Sequence, residues 1–315
     1  MTLEQLSGPP GPELARALAE FEAGFTYPLG PDRFFRIEHG DDYPCFFRAI
    51  GEAACFVAVA DGTVLGTLGV ALRRLLLPAG GERRVAYVGD LKLAAHARGG
   101  ITLLRLTRAA QAWAAPRVQE AFGVVMDGTR VTPETYTGRA GIPAFRELGK
   151  LAVLRLPASR EQRDADGRFL TAPGPAQACY GSLSRGRYAS LGGTPSERSE
   201  HAPSWLMHPD GLACGQLEDT RKAKRLIADD GSEMRSAHLA HFAFRTERAG
   251  ADLLGVALRR CGQWDIPALF VSVAAAEADG LRQALGDTRA VTAPATVYGS
   301  GLLPGPAWNI NTSEI

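Results

Sequence analysis

The stretch VAYVGDLKLAAHARGGITLLRLTRAA, from Val85 to Ala110, decides how the rest of the chain is read. Val85 to Leu93 is a run of β-branched and apolar residues of buried-strand length, and Ala94 to Gly100 is a short turn. From Ile101 the apolar positions Leu103, Leu104, Leu106, Ala110 and Trp113 recur on one helical face. A strand that passes through a glycine-containing turn into a helix N-terminus leaves backbone N–H groups without intrahelical partners, and such a place suits an anion. Gly99 and Gly100 let the backbone approach a ligand without a Cβ, and Arg98 adds a fixed charge whose fork suits phosphate. The stretch therefore reads as a phosphate or pyrophosphate site; the same residues also fit an ordinary strand-to-helix turn with a solvated arginine.

Working outward, ELARALAEFEAGF near the N-terminus is a short amphipathic helix, Pro31 to Glu38 a strand, and DDYPCFFRAIGEA a helix burying Phe46, Phe47 and Ile50. CFVAVADGTVLGTLGVALRRLLL carries Asp61-Gly62 between two β-rich runs, the strongest short-range hairpin signal. After the central helix, AFGVVMDG is a buried strand, and Thr132-Pro133-Glu134 starts a helix with Thr as N-cap and Pro in the first turn. That helix breaks at Gly141-Ile142-Pro143 and resumes as AFRELG before the strand LAVLRL. The order predicts an α/β (α+β) fold with a mixed sheet.

With 315 residues the chain has room for two ordinary domains. Thirty-five Lys and Arg against 34 Asp and Glu leave a net charge of +1, which offers no general field for nucleic acid or an anionic membrane. Five cysteines, odd in number and without C-x-x-C spacing, argue against a disulfide framework or a zinc site and fit a reducing cytoplasm. No apolar run is long enough for a membrane span, and no signal peptide is read.

The Pro/Gly-rich stretch PASREQRDADGRFLTAPGP reads as a connection, and the chain beyond it repeats the first half. Asp61-Gly62-x-x-x-Gly66-x-Leu68 recurs at Asp210-Gly211-x-x-x-Gly215-x-Leu217. Arg98-Gly99-Gly100 followed by Leu103-Leu104 recurs at Arg248-Ala249-Gly250 followed by Leu253-Leu254. AFGVV at 121 answers ALFVS at 268, and RELG at 146 answers QALG at 283. Several weak matches at nearly one displacement point to two copies of one fold, residues 1–157 and 158–315, with two unrelated α/β halves as the alternative.

DLKLAAHARGGITLLRL and AFRELG, in this order of elements over residues 25 to 156, resemble the strand-and-loop signature and the later tyrosine-bearing helix of the GNAT superfamily of acyl-CoA N-acyltransferases. The resemblance implies acetyl-CoA or another acyl-CoA as co-substrate and an amine-bearing small molecule or peptide as acceptor. It places the CoA pyrophosphate on the backbone of Ala97, Arg98, Gly99, Gly100, Ile101 and Thr102, and the pantetheine arm along Leu91, Lys92 and Leu93. Two features depart from the family's pattern: adjacent rather than alternating glycines compress the loop, and Phe145 stands where the general-acid tyrosine is expected. They motivate a rival reading, a non-catalytic CoA-binding or interaction protein. A further alternative is a longer acyl donor, as in N-acyl amino acid synthases.

Within this frame Asp90 is the candidate general base, its carboxyl raised by partial desolvation; a carboxylate satisfied by Lys92 is the other reading. Tyr136 is the candidate acid. Asp127, Gly128 and Thr129 are candidates to meet pantetheine. His238 and His241, three apart on a strand, point to opposite faces and are read as structural, with no metal site. In the second copy His238 is the nearest polar residue to the Asp90 position, and that copy is read as one that lost the cofactor and shapes the substrate cleft. RKAKR at 221 to 225 reads as a solvated face.

Overall fold

Period-two alternation and turn chemistry fix most of the first half. The computed structural model describes all residues except 29–32, 130, 160–163 and 287–288. In chain order it has β1 (Thr2–Leu6), α1 (Pro12–Ala23), β2 (Tyr27–Pro28), β3 (Phe34–Glu38) and α2 (Cys45–Arg48). The hairpin β4 (Glu52–Ala60) and β5 (Thr63–Leu76) comes next, then β6 (Glu82–Leu93), α3 (Thr102–Ala114), β7 (Ala121–Met126), α4 (Pro133–Tyr136) and β8 (Arg146–Pro157). Two residues of the expected strand from Pro31 lie outside the described residues. Asp61 and Gly62 turn the hairpin with φ of 49° and 75°, the left-handed pair that a two-residue turn between twisted strands requires.

One expectation fails here. AFRELG is no helix; from Arg146 the chain is already β8, and α4 is a single turn. Arg, Glu and Leu favour helix locally, but Arg146 and Glu147 pair with Gly299 and Tyr298 of a strand about 150 residues away, and Leu148 is buried against the sheet. The match between RELG and QALG fails with it, since the second motif does end a helix.

The second half contains α5 (Pro173–Leu183), β9 (Tyr188–Leu191), α6 (Pro195–Arg198), β10 (Ser204–Met207), β11 (Ala213–Asp219), β12 (Arg225–Ala228) and β13 (Ala237–Phe244). It closes with α7 (Glu247–Gln263), β14 (Ala268–Ala274), α8 (Ala278–Leu285), β15 (Val291–Ser300) and β16 (Trp308–Asn309). Arg248-Ala249-Gly250 lies inside α7, not in a turn before it, and Thr246 caps that helix by accepting the Ala249 N–H.

Eleven strands run through one sheet in the order β1-β4-β5-β6-β7-β15-β8-β14-β13-β11-β10, with β9 and β16 joined at its side. β15, late in the chain, is hydrogen-bonded between β7 and β8, while β8 adjoins β14. The halves thus exchange their last long strands about the antiparallel β8–β15 pair. On either side, one parallel pair parts almost at once. β6 meets β7 only at Ala86–Ala121 and Tyr87–Phe122, and β13 meets β14 only at Ala237–Leu269 and His238–Phe270.

Beyond each parting comes a bulge. The β5–β6 register slips between Thr67 and Gly69, where Asp90 takes φ 55°; the β11–β13 register slips between Cys214 and Gln216, where His241 takes φ 49°. Asp and His are among the side chains that tolerate this left-handed geometry. His241, not His238, thus occupies the bulge position that Asp90 has in β6.

Candidate functional site

A cavity of about 990 Å³ opens where β6 leaves β7. Gly89, Asp90 and Leu91 form one wall and Gly123 to Met126 the opposite one, so the facing backbone edges have no strand between them. Ala110 and Ala114 of α3 contribute small side chains, and Val153, Phe270, Val291 and Pro294 carry the apolar lining toward the centre of the sheet. Size and lining suit a mostly apolar ligand.

Asp90, Leu91 and Tyr136, all picked out in the sequence, line this cavity together, as do Asp127, Gly128, Thr129 and Phe145. Leu93 instead packs in the core beneath α3, and the Lys92 ammonium turns away into a buried ion network. Ala97, Arg98, Gly99, Gly100, Ile101 and Thr102 lie beyond the cavity's lining, at the start of α3. Arg98, Gly99 and Gly100 are exposed, Gly99 has φ 77°, and Ile101 provides no side-chain cap for the helix. The Asp127 carboxylate accepts the Thr296 hydroxyl at 2.7 Å.

Asp90 is in the electrostatic state of the second reading, a carboxylate satisfied by Lys92, and not the raised one of a general base. Burial raises its carboxyl, but the Lys92 ammonium 2.7 Å away, His39 and the Tyr43 hydroxyl, which donates to Oδ2, hold it down at about 2. Lys92 Nζ also donates to Glu22 Oε1 at 2.8 Å, and that oxygen lies 2.6 Å from His39 Nδ1. Glu22 Oε2 accepts the His39 backbone N–H at 3.2 Å. Burial raises Glu22, and His39 and Lys92 outweigh it, so its carboxyl is lowered. Glu22, His39 and Asp90 offer ligand atoms within 4.8 Å of one another, the only such trio among the described residues. Lys92 puts an ammonium on both carboxylates of that trio.

Tyr43, Glu22 and His39 escape a local reading because they meet Asp90 and Lys92 across 47 to 70 residues of chain. A histidine ending a strand, in EHGDDY, is the one trace in the sequence. Tyr136 keeps its proton, burial and Tyr298 pushing its hydroxyl up to about 12.

The reading of 221–225 as a solvated face needs correction. Lys222 and Arg225 are exposed, but Arg221 is tied to Glu233 and Glu200, and Lys224 is buried. The turn after β11 sends Lys224 inward, 4.7 Å over the Phe46 ring, where its Nζ donates to the Ile315 backbone oxygen. Burial, with repulsion from Arg198, lowers it to about 7. Lys224 and His39 also line a second, polar pocket of about 230 Å³ with Glu38, Gly40, Asp41, Glu200 and Lys222.

The second parting is filled. His241 N–H donates to Asn311 Oδ1 at 2.8 Å, Thr312 Oγ1 donates to the Phe270 carbonyl at 3.2 Å, and His238 Nδ1 lies 3.0 Å from Thr312 Oγ1. Glu314 in the same segment takes Arg73, and Arg198 at 3.5 Å; Arg198 also donates to Glu218 at 2.7 Å. Both histidines are kept neutral by burial, His241 at about 4. All five cysteines are free, and among the described residues no helix is long and apolar enough to cross a membrane.

The sequence matches no family model and no curated protein. Among solved structures, Saccharomyces cerevisiae N-myristoyltransferase with bound myristoyl-CoA aligns with a TM-score of 0.62 at 8% identity, covering 99% of this chain and 82% of that one. A second myristoyl-CoA complex of the yeast enzyme gives 0.60 at 7% identity, over 96% and 84%. A GCN5-related N-acetyltransferase from Anabaena variabilis gives 0.50 at 10% identity, over 95% and 72%. The chain shares the mixed α/β fold of these solved structures.

Proposed function

We propose that this protein transfers an acyl group from an acyl-CoA to an amine, with the acyl chain in the cavity between β6 and β7. The observation that carries the reading is that cavity: apolar, about 990 Å³, and opened by two strands whose facing edges are left unpaired. Pantetheine would hydrogen-bond along the β6 edge past Gly89, bringing the thioester beside Asp90 and Leu91. The pyrophosphate would rest on the uncapped start of α3, with Arg98 as its counter-charge. Those roles for Leu91, Lys92 and Leu93, and for Ala97 to Thr102, rest on backbone placement.

The acceptor nitrogen attacks the thioester carbonyl, and the electron pair of the C–S bond leaves with sulfur. Tyr136, on the cavity wall and protonated, is the group we assign to supply the thiolate's proton, in place of Phe145, which has no hydroxyl. Asp90 stays ionised and saturated by Lys92 and Tyr43, which suits holding those groups better than abstracting a proton. The cavity's volume favours an acyl group longer than acetyl.

We also read the chain as two copies of one fold, residues 1–157 carrying the β6–β7 parting and the proposed CoA contacts, and 158–315 a degenerate copy that adds Phe270, Val291 and Pro294 to the cavity wall. The paired bulges at Asp90 and His241 and the exchanged strands β8 and β15 support that division.

Calorimetry with acyl-CoAs of increasing chain length, on the wild type and on Arg98→Ala, tests the function together with CoA release in an amine panel. The expected result is a 1:1 complex that tightens with chain length, is weakened roughly fivefold to tenfold by the substitution, and turns over with an amine. Binding without turnover would leave a CoA-binding protein. No heat with any acyl-CoA would end the reading.

A further inference from the structure

We propose that His39, oriented by Glu22, is the general base that takes the proton from the acceptor amine, and that the amine reaches it through the polar pocket. The assignment rests on the acyl-transfer reading above and names a group that reading leaves open.

Position is the first argument. His39 follows β3 and stands in the wall common to both cavities: on one side Asp90, Leu91 and Phe46, on the other Glu38, Gly40, Asp41 and Glu200. A thioester lying along β6 and an amine entering from the charged pocket would meet at this wall. No other titratable side chain but Lys224 lines both cavities among the described residues.

Orientation is the second. Glu22 grips His39 at two points, Nδ1 at 2.6 Å and the backbone N–H at 3.2 Å. A carboxylate on Nδ1 fixes the proton there and leaves the lone pair on Nε2. The ring is held between Tyr43 and Phe46, with centroids 4.8 and 5.7 Å away.

Charge is the third. The groups facing His39 are Glu22 from α1, Asp90 and Lys92 from β6, Tyr43 from the turn before α2, and Lys224 beyond Phe46. Two carboxylates against the Lys92 ammonium leave an excess of negative charge in a buried site, a setting that suits a group gaining positive charge in the reaction. Lys224 opposes that proton, and burial keeps its own charge weak.

In the reaction the N–H bond of the amine breaks toward Nε2 as nitrogen bonds the carbonyl carbon. The thiolate takes its proton from Tyr136, and the proton on His39 leaves through the polar pocket, so that solvent reloads Tyr136. The net change is amide plus CoA thiol.

The test is the pH profile of kcat/KM for the full chain, with the acyl-CoA of highest calorimetric affinity and glycinamide as acceptor. Wild type should show one ionisation in addition to that of the amine. His39→Gln should lose about 100-fold or more in rate together with that limb, while acyl-CoA affinity is retained. Glu22→Gln should move the limb to lower pH, a shift that a merely structural role would not produce. A limb that persists in His39→Gln overturns the assignment. Should His39→Gln fail to bind acyl-CoA, the tautomer read by ¹⁵N NMR in the wild type decides: Nδ1–H supports the proposal and Nε2–H overturns it. Wild-type binding without turnover overturns acyl transfer itself, and His39 with it.

Discussion

The two partings of the sheet start from the same geometry and end differently. Each follows two parallel residue pairs, each has a bulge with a left-handed residue, and each has a helix after the bulged strand. In the first, Asp90 faces a cavity and α3 begins at Ile101 without a side-chain cap. In the second, the amide of His241 is taken by Asn311, the gap is filled by residues 308–315, and Thr246 caps α7. The same backbone can therefore hold a ligand or bury its own tail; what decides is whether the backbone groups freed by the parting are satisfied from within the chain.

The sharpest way to break this contrast is to pull out the plug. Glu314 lies between Arg73 and Arg198, all three buried. Glu314→Gln leaves Arg73 without its carboxylate and Arg198 with Glu218 alone, and should cost about 3–5 kcal/mol in urea unfolding. Burial raises the Glu314 carboxyl and the two arginines outweigh it, so that it sits at about 2 against an ordinary 4.5. Its contribution is complete above pH 4.5 and is lost as pH falls toward 2; the variant should lose that acid limb.

A smaller effect is expected at the open parting. The residue after the last β6–β7 pair is Gly123, and a Cβ there would stand 2.4 Å from the Val88 carbonyl oxygen; the corresponding residue of β14 is Val271, fully buried. Gly123→Ala should cost about 1–3 kcal/mol as β7 is forced off β6, and acyl-CoA affinity measured by calorimetry should fall with it. Retained affinity would mean that the mouth of the parting does not hold the ligand.

The smallest effect belongs to the helix starts. Thr246→Ala removes the cap of α7 and should cost about 0.5–2 kcal/mol in thermal unfolding, leaving acyl-CoA affinity unchanged. A loss of affinity would mean that the start of α7 is coupled to the cavity, whose lining includes Phe270, Val291 and Pro294.

Much of this was legible in the sequence because it is local. Asp61-Gly62 specified its hairpin, Val85 to Trp113 its strand, turn and helix, and Asp90, Leu91 and Tyr136 do line one cavity. AFRELG misled because its helical preference is weaker than its pairing with β15. Of the two readings of Asp90, the ion pair with Lys92 agrees with the carboxylate satisfied by its neighbour, two residues on in the same strand.

By itself the sequence determined the hairpin at Asp61-Gly62, the strand, turn and helix that follow it, and the glycine-bearing start of α3, since alternation, turn residues and helical periodicity act over a few neighbours. Only the tertiary structure decided which parting stays open, where the last strands pair, and that Glu22, His39 and Lys92 form one buried cluster. Those outcomes depend on groups far apart in the chain competing for the same buried partners, and the free energy of a buried charge or an unpaired amide is set by what surrounds it, not by its neighbours in sequence.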